Sequence, residues 1–197
     1  MVGAILAGGA NTRFGGEPKG LRRIAGARII DRVADALRSA AEQLVLISNA
    51  PEAVRWLPGV PAFADSRSER GSIIGLHTAL LHSRDMAVVV AWDMPFLSRN
   101  LLQLVASKAA QSEYAAVPES GRGLEPLCAA YSVRCLPIIE QAIDSGELRL
   151  RSLLARLPSF ERVVLADVET CGDPDQLFMN VNSPSQLALA EQLASEV

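Results

Sequence analysis

Short runs that are apolar at every position alternate along this chain with longer stretches in which apolar residues recur every three or four positions. Val2–Ala7, Leu44–Ile47 and Ala87–Ala91 carry no polar side chain. Strands that are apolar on both faces belong in a sheet covered on both sides, and such coverage goes with parallel pairing. These three runs are therefore predicted as buried strands, with Val60–Ala64 as a further one. Ile29, Ile30, Val33, Leu37 and Ala41 fall on one face of a predicted helix from about Arg28 to Glu42. A short helix is expected after Asn49, and another over Ser72–Ser83. Ser98 is placed to cap a helix carrying Leu101, Leu102 and Val105.

The second half is more mixed. Ala115–Val117, Pro126–Tyr131 and Val163–Leu165 predict strands, and helices are expected around Leu136–Ser145 and Leu150–Leu157. The final helix has the clearest start signal. Ser183 is its expected N-cap, Pro184 its first residue, and Gln186 completes a capping box. No linker, repeat or low-complexity stretch interrupts the pattern, so residues 1–197 are expected to form a single α/β domain with a mainly parallel sheet.

Composition narrows the function. At 197 residues with 49% hydrophobic and 21% charged side chains, the chain is an ordinary globular length with a full core. A net charge of -3 without runs of like charge argues against a broad nucleic-acid footprint. No apolar run reaches membrane-spanning length. Val2–Ala7 is too short for a signal peptide, so a cytoplasmic location is expected. Cys128, Cys135 and Cys171 match no zinc ribbon or redox pair and are expected as reduced, packed thiols. His77 and His82 lie five apart, on different faces of a helix, and make poor joint metal ligands.

In open sheets of this kind ligands bind where strands end. Leu6-Ala7-Gly8-Gly9-Ala10-Asn11-Thr12-Arg13-Phe14-Gly15-Gly16-Glu17-Pro18-Lys19 follows the first strand. Gly8 and Gly9 let backbone approach a ligand and aim amides at phosphate oxygens, while Arg13 and Lys19 supply cations. The segment has neither a Gly-Lys-Ser/Thr ending nor the dinucleotide-binding glycine spacing. Asp93 ends the Ala87–Ala91 strand region and could hold Mg²⁺, which takes hard oxygen ligands shared with phosphate. The alternative is an Asp that starts a turn before Pro95, although Ser98 is the better-placed cap. Asp65 ends the Val60–Ala64 run similarly, the alternative being an isolated turn residue before Ser66. In nucleotidyl transfer an acceptor phosphate, already anionic near neutral pH, attacks the α-phosphate of a nucleoside triphosphate and pyrophosphate leaves. Such a reaction rests on alignment and charge neutralisation, without a dedicated general base.

Leu6–Lys19 resembles the signature Leu-Ala-Gly-Gly-x-x-x-Arg-x-Gly-Gly-x-x-Lys of the molybdenum cofactor guanylyltransferases. The resemblance continues along the chain in Ile47-Ser48-Asn49, Asp65, Gly71-Ser72-Ile73-Ile74-Gly75-Leu76, Trp92-Asp93-Met94-Pro95, Glu125–Tyr131 and Asn180-Val181-Asn182-Ser183-Pro184. It implies a Rossmann-like three-layer α/β fold and transfer of GMP from GTP to the terminal phosphate of molybdopterin or molybdenum-molybdopterin. It further implies that Leu6, Ala7, Gly8, Gly9, Lys19, Asn49, Asp65 and Asp93 bind the nucleotide, with Lys19, Arg13 and Asp93 catalytic and Asp93 on Mg²⁺. Asn180 and Asn182 would face the acceptor. Read alone, those two asparagines are turn residues ahead of a capped helix. Other molybdenum cofactor biosynthesis proteins and acceptor molybdoenzymes are the implied protein partners, with no nucleic acid or membrane. Pro18, Ser72 and Trp92 depart from the family pattern, and Trp92, in place of a small residue, bears on the pocket. The nearest alternatives are a cytidylyltransferase on the same cofactor, a nucleotidyltransferase on another phosphorylated acceptor, or a nucleotide-binding regulator without turnover.

Overall fold

A computed structural model describes residues 1–8 and 18–195. Its central sheet begins with β1 (Val2–Leu6), and a small hairpin of β2 (Arg23–Ile24) and β3 (Ala27–Arg28) leads into α1 (Ile29–Leu37). Next come β4 (Gln43–Ile47), β5 (Ala62–Phe63), α2 (Ser72–Leu81), β6 (Met86–Ala91) and α3 (Arg99–Ala109). The later half adds β7 (Ala115–Ser120), β8 (Gly123–Leu124), β9 (Cys128–Ser132), α4 (Leu136–Asp144) and α5 (Leu150–Leu154). It ends with β10 (Glu161–Val163), α6 (Leu165–Glu169), α7 (Pro174–Leu177) and α8 (Pro184–Ser195).

The strand order is β10-β7-β9-β6-β1-β4-β5, with β8 paired to β7. β6, β1, β4 and β5 run parallel, as do β10 and β7, while β9 is antiparallel to both neighbours. The chain leaves β1 for β4 on one side and later returns to β6 on the other. That reversal puts a crevice at the carboxyl ends of β1, β4 and β6.

Alternation along the strands sorts the core into two layers. Ile5, Leu44, Leu46, Val88 and Val90 face one side and pack with Ile30, Val33 and Leu37 of α1 and Leu101, Leu102 and Val105 of α3. Ala4, Leu6, Val45, Ile47, Ala87 and Val89 face the other and pack with α2, α4 and α5. The three-layer α/β arrangement expected from the doubly apolar strands is what forms. Close approach matters at Gly3, where a Cβ would stand 2.6 Å from a Leu44 methyl.

Several boundaries differ from the expected ones. α1 stops at Leu37 because Ser39 and Ala40 bond back to Ala36 and Leu37 in tighter turns, and Glu42 already bonds to Met1 at the edge of β1. The Val163–Leu165 strand is shifted. Val163 is buried and pairs with β7, but Val164 is 46% exposed and Leu165 opens α6. The β2–β3 hairpin turns through Ala25 and Gly26, both at positive φ, as right-twisted two-residue hairpins require. The expected caps are present: Ser98 Oγ accepts from the Leu101 amide at 3.1 Å, and Ser183 Oγ from that of Gln186 at 3.3 Å. Gln186 Oε1 does not close the expected box on the Ser183 amide but accepts from the amide of Asn182, one residue earlier, at 2.8 Å.

Candidate active site

Three backbone hydrogen bonds carry the sheet ladders one residue past their strands. The Ala7 amide donates to Ile47, Ser48 to Phe63 and Trp92 to Leu6. Gly8, Asn49 and Asp93 consequently emerge side by side. They line one cleft of about 650 Å³ with Leu6, Ala7, Lys19, Asp65, Asn180 and Asn182, within the roughly 300–1,000 Å³ of small-molecule sites. Every described residue assigned to the site from sequence is in this cleft. Gly9 and Arg13 lie outside the described residues. A Cβ on Gly8 would meet no atom of the described residues within 4 Å, and Gly8 lines the cleft.

One half of the cleft is built on β4 and β5. Asn49 Nδ2 donates to Asp65 Oδ2 at 2.7 Å, and the Asp65 amide donates to Asn49 Oδ1 at 2.8 Å. Burial raises the Asp65 carboxyl above its ordinary range, opposed by the Asn49 hydrogen bond. The next residue is tied to α2: the Ser66 amide donates to Thr78 Oγ1 at 2.9 Å, and Ser66 Oγ lies 2.7 Å from His77 Nδ1. His77 is thus a buried partner of Ser66.

The other half is built on β6 and the approach to α8. Lys19 Nζ lies 2.5 Å from Asp93 Oδ2 and 2.6 Å from Asn182 Oδ1. The Lys19 and Asp93 side chains are only 18% and 6% exposed. The Val181 amide donates to the Asp93 carbonyl at 2.9 Å, which pins the 180–182 segment against the end of β6. Asn182 therefore joins the cation and the carboxylate, whereas Asn180 turns its Nδ2 to the Phe178 carbonyl at 3.1 Å.

Residues 3–163 match the family model described as MobA-like NTP transferase domain. The chain belongs to that family. It is 33% identical over 194 residues to a molybdenum cofactor guanylyltransferase of Desulfosudis oleivorans, covering 97% of this chain and 94% of the relative. The structure of molybdopterin-guanine dinucleotide biosynthesis protein A from Archaeoglobus fulgidus superposes with a TM-score of 0.85 at 26% identity, over 100% of both chains. A nucleotidyl transferase from Methanothermobacter shares the fold at a TM-score of 0.75 and 19% identity, over 100% of this chain and 98% of that one.

Against the family pattern, Trp92 is the conspicuous departure, and the structure accounts for its bulk. The indole is 1% exposed and stacks on Trp56, with centroids 5.1 Å apart and planes 19° from parallel. Gly20 lies against the same ring, so closely that a Cβ there would overlap it. The large residue is sandwiched beneath the Lys19–Gly20 turn, where it forms part of the cleft wall. Sequence reasoning did not single out Trp56 or Arg70, which also line the cleft. The only local signal for Arg70 was its place just before Gly71.

Among the described residues no group of three or more His, Cys, Asp or Glu side chains could hold a metal. Asp65 and Asp93 stand at the ends of β5 and β6, with β4 and β1 between them. A divalent ion here would rely on Asp93 and on phosphate oxygens. That donor set of one buried carboxylate and hard anionic oxygens fits Mg²⁺. Cys128, Cys135 and Cys171 are free thiols. Burial pushes the Cys135 thiol up to about 12 and raises Cys128 further, which makes both inert packing groups.

Proposed function

We propose that the protein transfers GMP from GTP to the terminal phosphate of molybdopterin or molybdenum-molybdopterin, forming molybdopterin guanine dinucleotide. An oxygen of the acceptor phosphate bonds to the α-phosphorus of GTP, the bond from that phosphorus to the β-phosphate bridge oxygen breaks, and pyrophosphate leaves with the electron pair. The observation that carries this reading is the Lys19–Asp93–Asn182 cluster, closed within 2.6 Å in a cleft of nucleotide size.

Lys19 is the described cation at the reacting end and would neutralise charge on the phosphates as it shifts to the leaving group. Arg13 is assigned to the same task and Gly9 to the phosphate loop, as the family signature implies. Asp93 would hold Mg²⁺, which when bound offsets phosphate charge and fixes the oxygens for in-line displacement. Asn49 and Asp65 offer a preformed hydrogen-bonding pair to the nucleoside, and Leu6, Ala7 and Gly8 present backbone along the cleft floor. Asn182 aligns Lys19, and Asn180 would meet the acceptor. No helix among the described residues is long and apolar enough to cross a membrane. We place the reaction in the cytoplasm, where free thiols persist. Its product would pass to molybdenum cofactor proteins and acceptor molybdoenzymes.

The test is to incubate the protein with Mg²⁺, molybdopterin and each nucleoside triphosphate in turn and to identify the product by mass. GTP should exceed CTP by about a hundredfold in transfer efficiency, the scale of ~3 kcal/mol for unmatched buried polar groups. Equal efficiency, or a CTP preference, would reject guanylyl transfer while leaving nucleotidyl transfer intact. Omission of divalent metal should abolish turnover.

A further inference from the structure

Two cations among the described residues line the cleft, and they are in opposite states. Lys19 is held by Asp93 and Asn182. Arg70 lines the same cleft with no ion pair or hydrogen bond among the described residues. Its position is nevertheless well defined, because the connection from β5 to α2 that carries it is anchored along its length. Asp65 is clasped by Asn49, Ser66 is tied to Thr78 and His77, and Arg67 pairs with Asp144 at 3.4 Å. At its far end Gly71 passes so near the Leu148 carbonyl that a Cβ would lie 3.1 Å from that oxygen. An arginine whose backbone is held in this way, and whose guanidinium is unpaired among the described residues, is an available forked donor.

The same connection supplies an available acceptor. Asn49 takes Asp65 Oδ2, and Asp65 Oδ1 makes no hydrogen bond among the described residues. Asp65 and Arg70 are five positions apart on the β5–α2 connection and line the same cleft. Guanine presents two adjacent acceptors, O6 and N7, on one edge, and the donors N1–H and N2–H₂ beside them. A guanidinium fork fits the first set in bidentate fashion, and an ionised carboxylate, which can only accept, fits the second. Adenine places a donor, its N6 amine, next to N7 and so opposes one arm of the fork.

We propose that Arg70 is a base-reading residue that grips O6 and N7 of guanine, with Asp65 taking the N1–H and N2–H₂ edge. This inference rests on the guanylyltransferase reading and adds to it a determinant of nucleotide choice. Arg70 is exposed, so its replacement leaves the core untouched.

The experiment measures binding to the full chain by titration calorimetry with GTP, 7-deaza-GTP, in which N7 is a C–H, ITP, which lacks the N2 amine, and inorganic triphosphate. The parent should bind GTP roughly tenfold or more tightly than 7-deaza-GTP, the scale of one bidentate base contact. Arg70→Gln should weaken GTP by a similar factor or more, weaken 7-deaza-GTP less because only its O6 contact is lost, and leave triphosphate within about twofold of the parent. Arg70→Lys should recover only part of the loss, because a single ammonium cannot span both acceptors. Asp65→Ala should show the converse pattern, with GTP losing its advantage over ITP. If Arg70→Gln weakens GTP, 7-deaza-GTP and triphosphate alike, Arg70 grips phosphate and the proposal fails. No change with any ligand also overturns it. A parent that does not bind GTP would overturn the guanylyltransferase reading itself, an outcome separable from equal losses in the variant.

Discussion

Lys19→Met tests fold and chemistry at one position. The ammonium lies 2.5 Å from Asp93 Oδ2 and 2.6 Å from Asn182 Oδ1, with Asp93 only 6% exposed. Methionine keeps the apolar stem but leaves a buried carboxylate without its cation. Removing one partner of a buried pair costs about 3–5 kcal/mol, and the partial exposure of Lys19 places this case near ~3 kcal/mol. For a domain of this length each kcal/mol moves Tm by about 2–4 °C, so a fall of roughly 6–12 °C is expected in a thermal scan without ligands. Lys19→Met/Asp93→Asn removes the stranded charge and should recover more than half of that loss. Turnover should behave differently. Each single variant is expected to lose roughly two to three orders of magnitude in transfer, and the double variant should not regain it. A Tm within about 1 °C of the parent would refute the buried pair, given its expected size. Near-parental transfer by a folded Lys19→Met protein would refute the catalytic assignment.

Gly20→Ala forces a methyl into the Trp92 ring and should cost about 1–3 kcal/mol by overpacking. Trp92→Leu in the same chain should relieve most of that cost, and additive losses in denaturant melts would refute the contact. Asp65→Asn should raise Tm at neutral pH while weakening GTP binding. Burial lifts this carboxyl above its ordinary 3.8 in the fold, so the folded state holds the proton more tightly and stability falls as pH climbs through that window. The gain from Asn should therefore fade as pH drops below 3.8, and a gain that grows on acidification would refute the burial argument. Asn180→Asp should impair use of an anionic acceptor more than nucleotide binding, because a new carboxylate repels the acceptor phosphate. Equal losses in the KM for acceptor and the Kd for GTP would point instead to damage in the docking of α8.

The parts of the fold legible in the sequence were those whose environment is uniform. β1, β4 and β6 are buried on both faces, so their runs contain no polar residue and announce themselves. Lys19, Asp93, Asn49 and Asp65 were legible because they directly follow such runs or sit in the glycine-rich turn. Edge elements were not. Val163, Val164 and Leu165 are equally apolar, yet only pairing with β7 decides which of them is strand. Ala41 continues the helical period of α1, but the chain must already turn to bring Gln43 beside Val2. In the sequence Lys19 is only a cation at the end of the glycine-rich turn. Its partner Asn182 is 163 residues away, so nothing local revealed that the lysine compensates a buried carboxylate.

The geometry separates two tasks that share one cleft. Phosphates are common to every nucleoside triphosphate, so on the proposed reading Lys19 and Asp93 would speed transfer without choosing a base. They are held by β6 and by the segment leading into α8. Asn49, Asp65 and Arg70 belong to β4 and to the β5–α2 connection, which is anchored on α2 through Thr78 and His77. Among the described residues no hydrogen bond or ion pair joins the two groups, and β1 stands between β4 and β6. Substitutions on the β5–α2 connection can therefore alter the matched base edge without moving the reacting cation, since distant sites without shared partners act nearly independently. Trp92 spans that division. It touches Gly20 in the turn carrying Lys19 and stacks on Trp56, which follows β4, so it packs against both halves of the cleft.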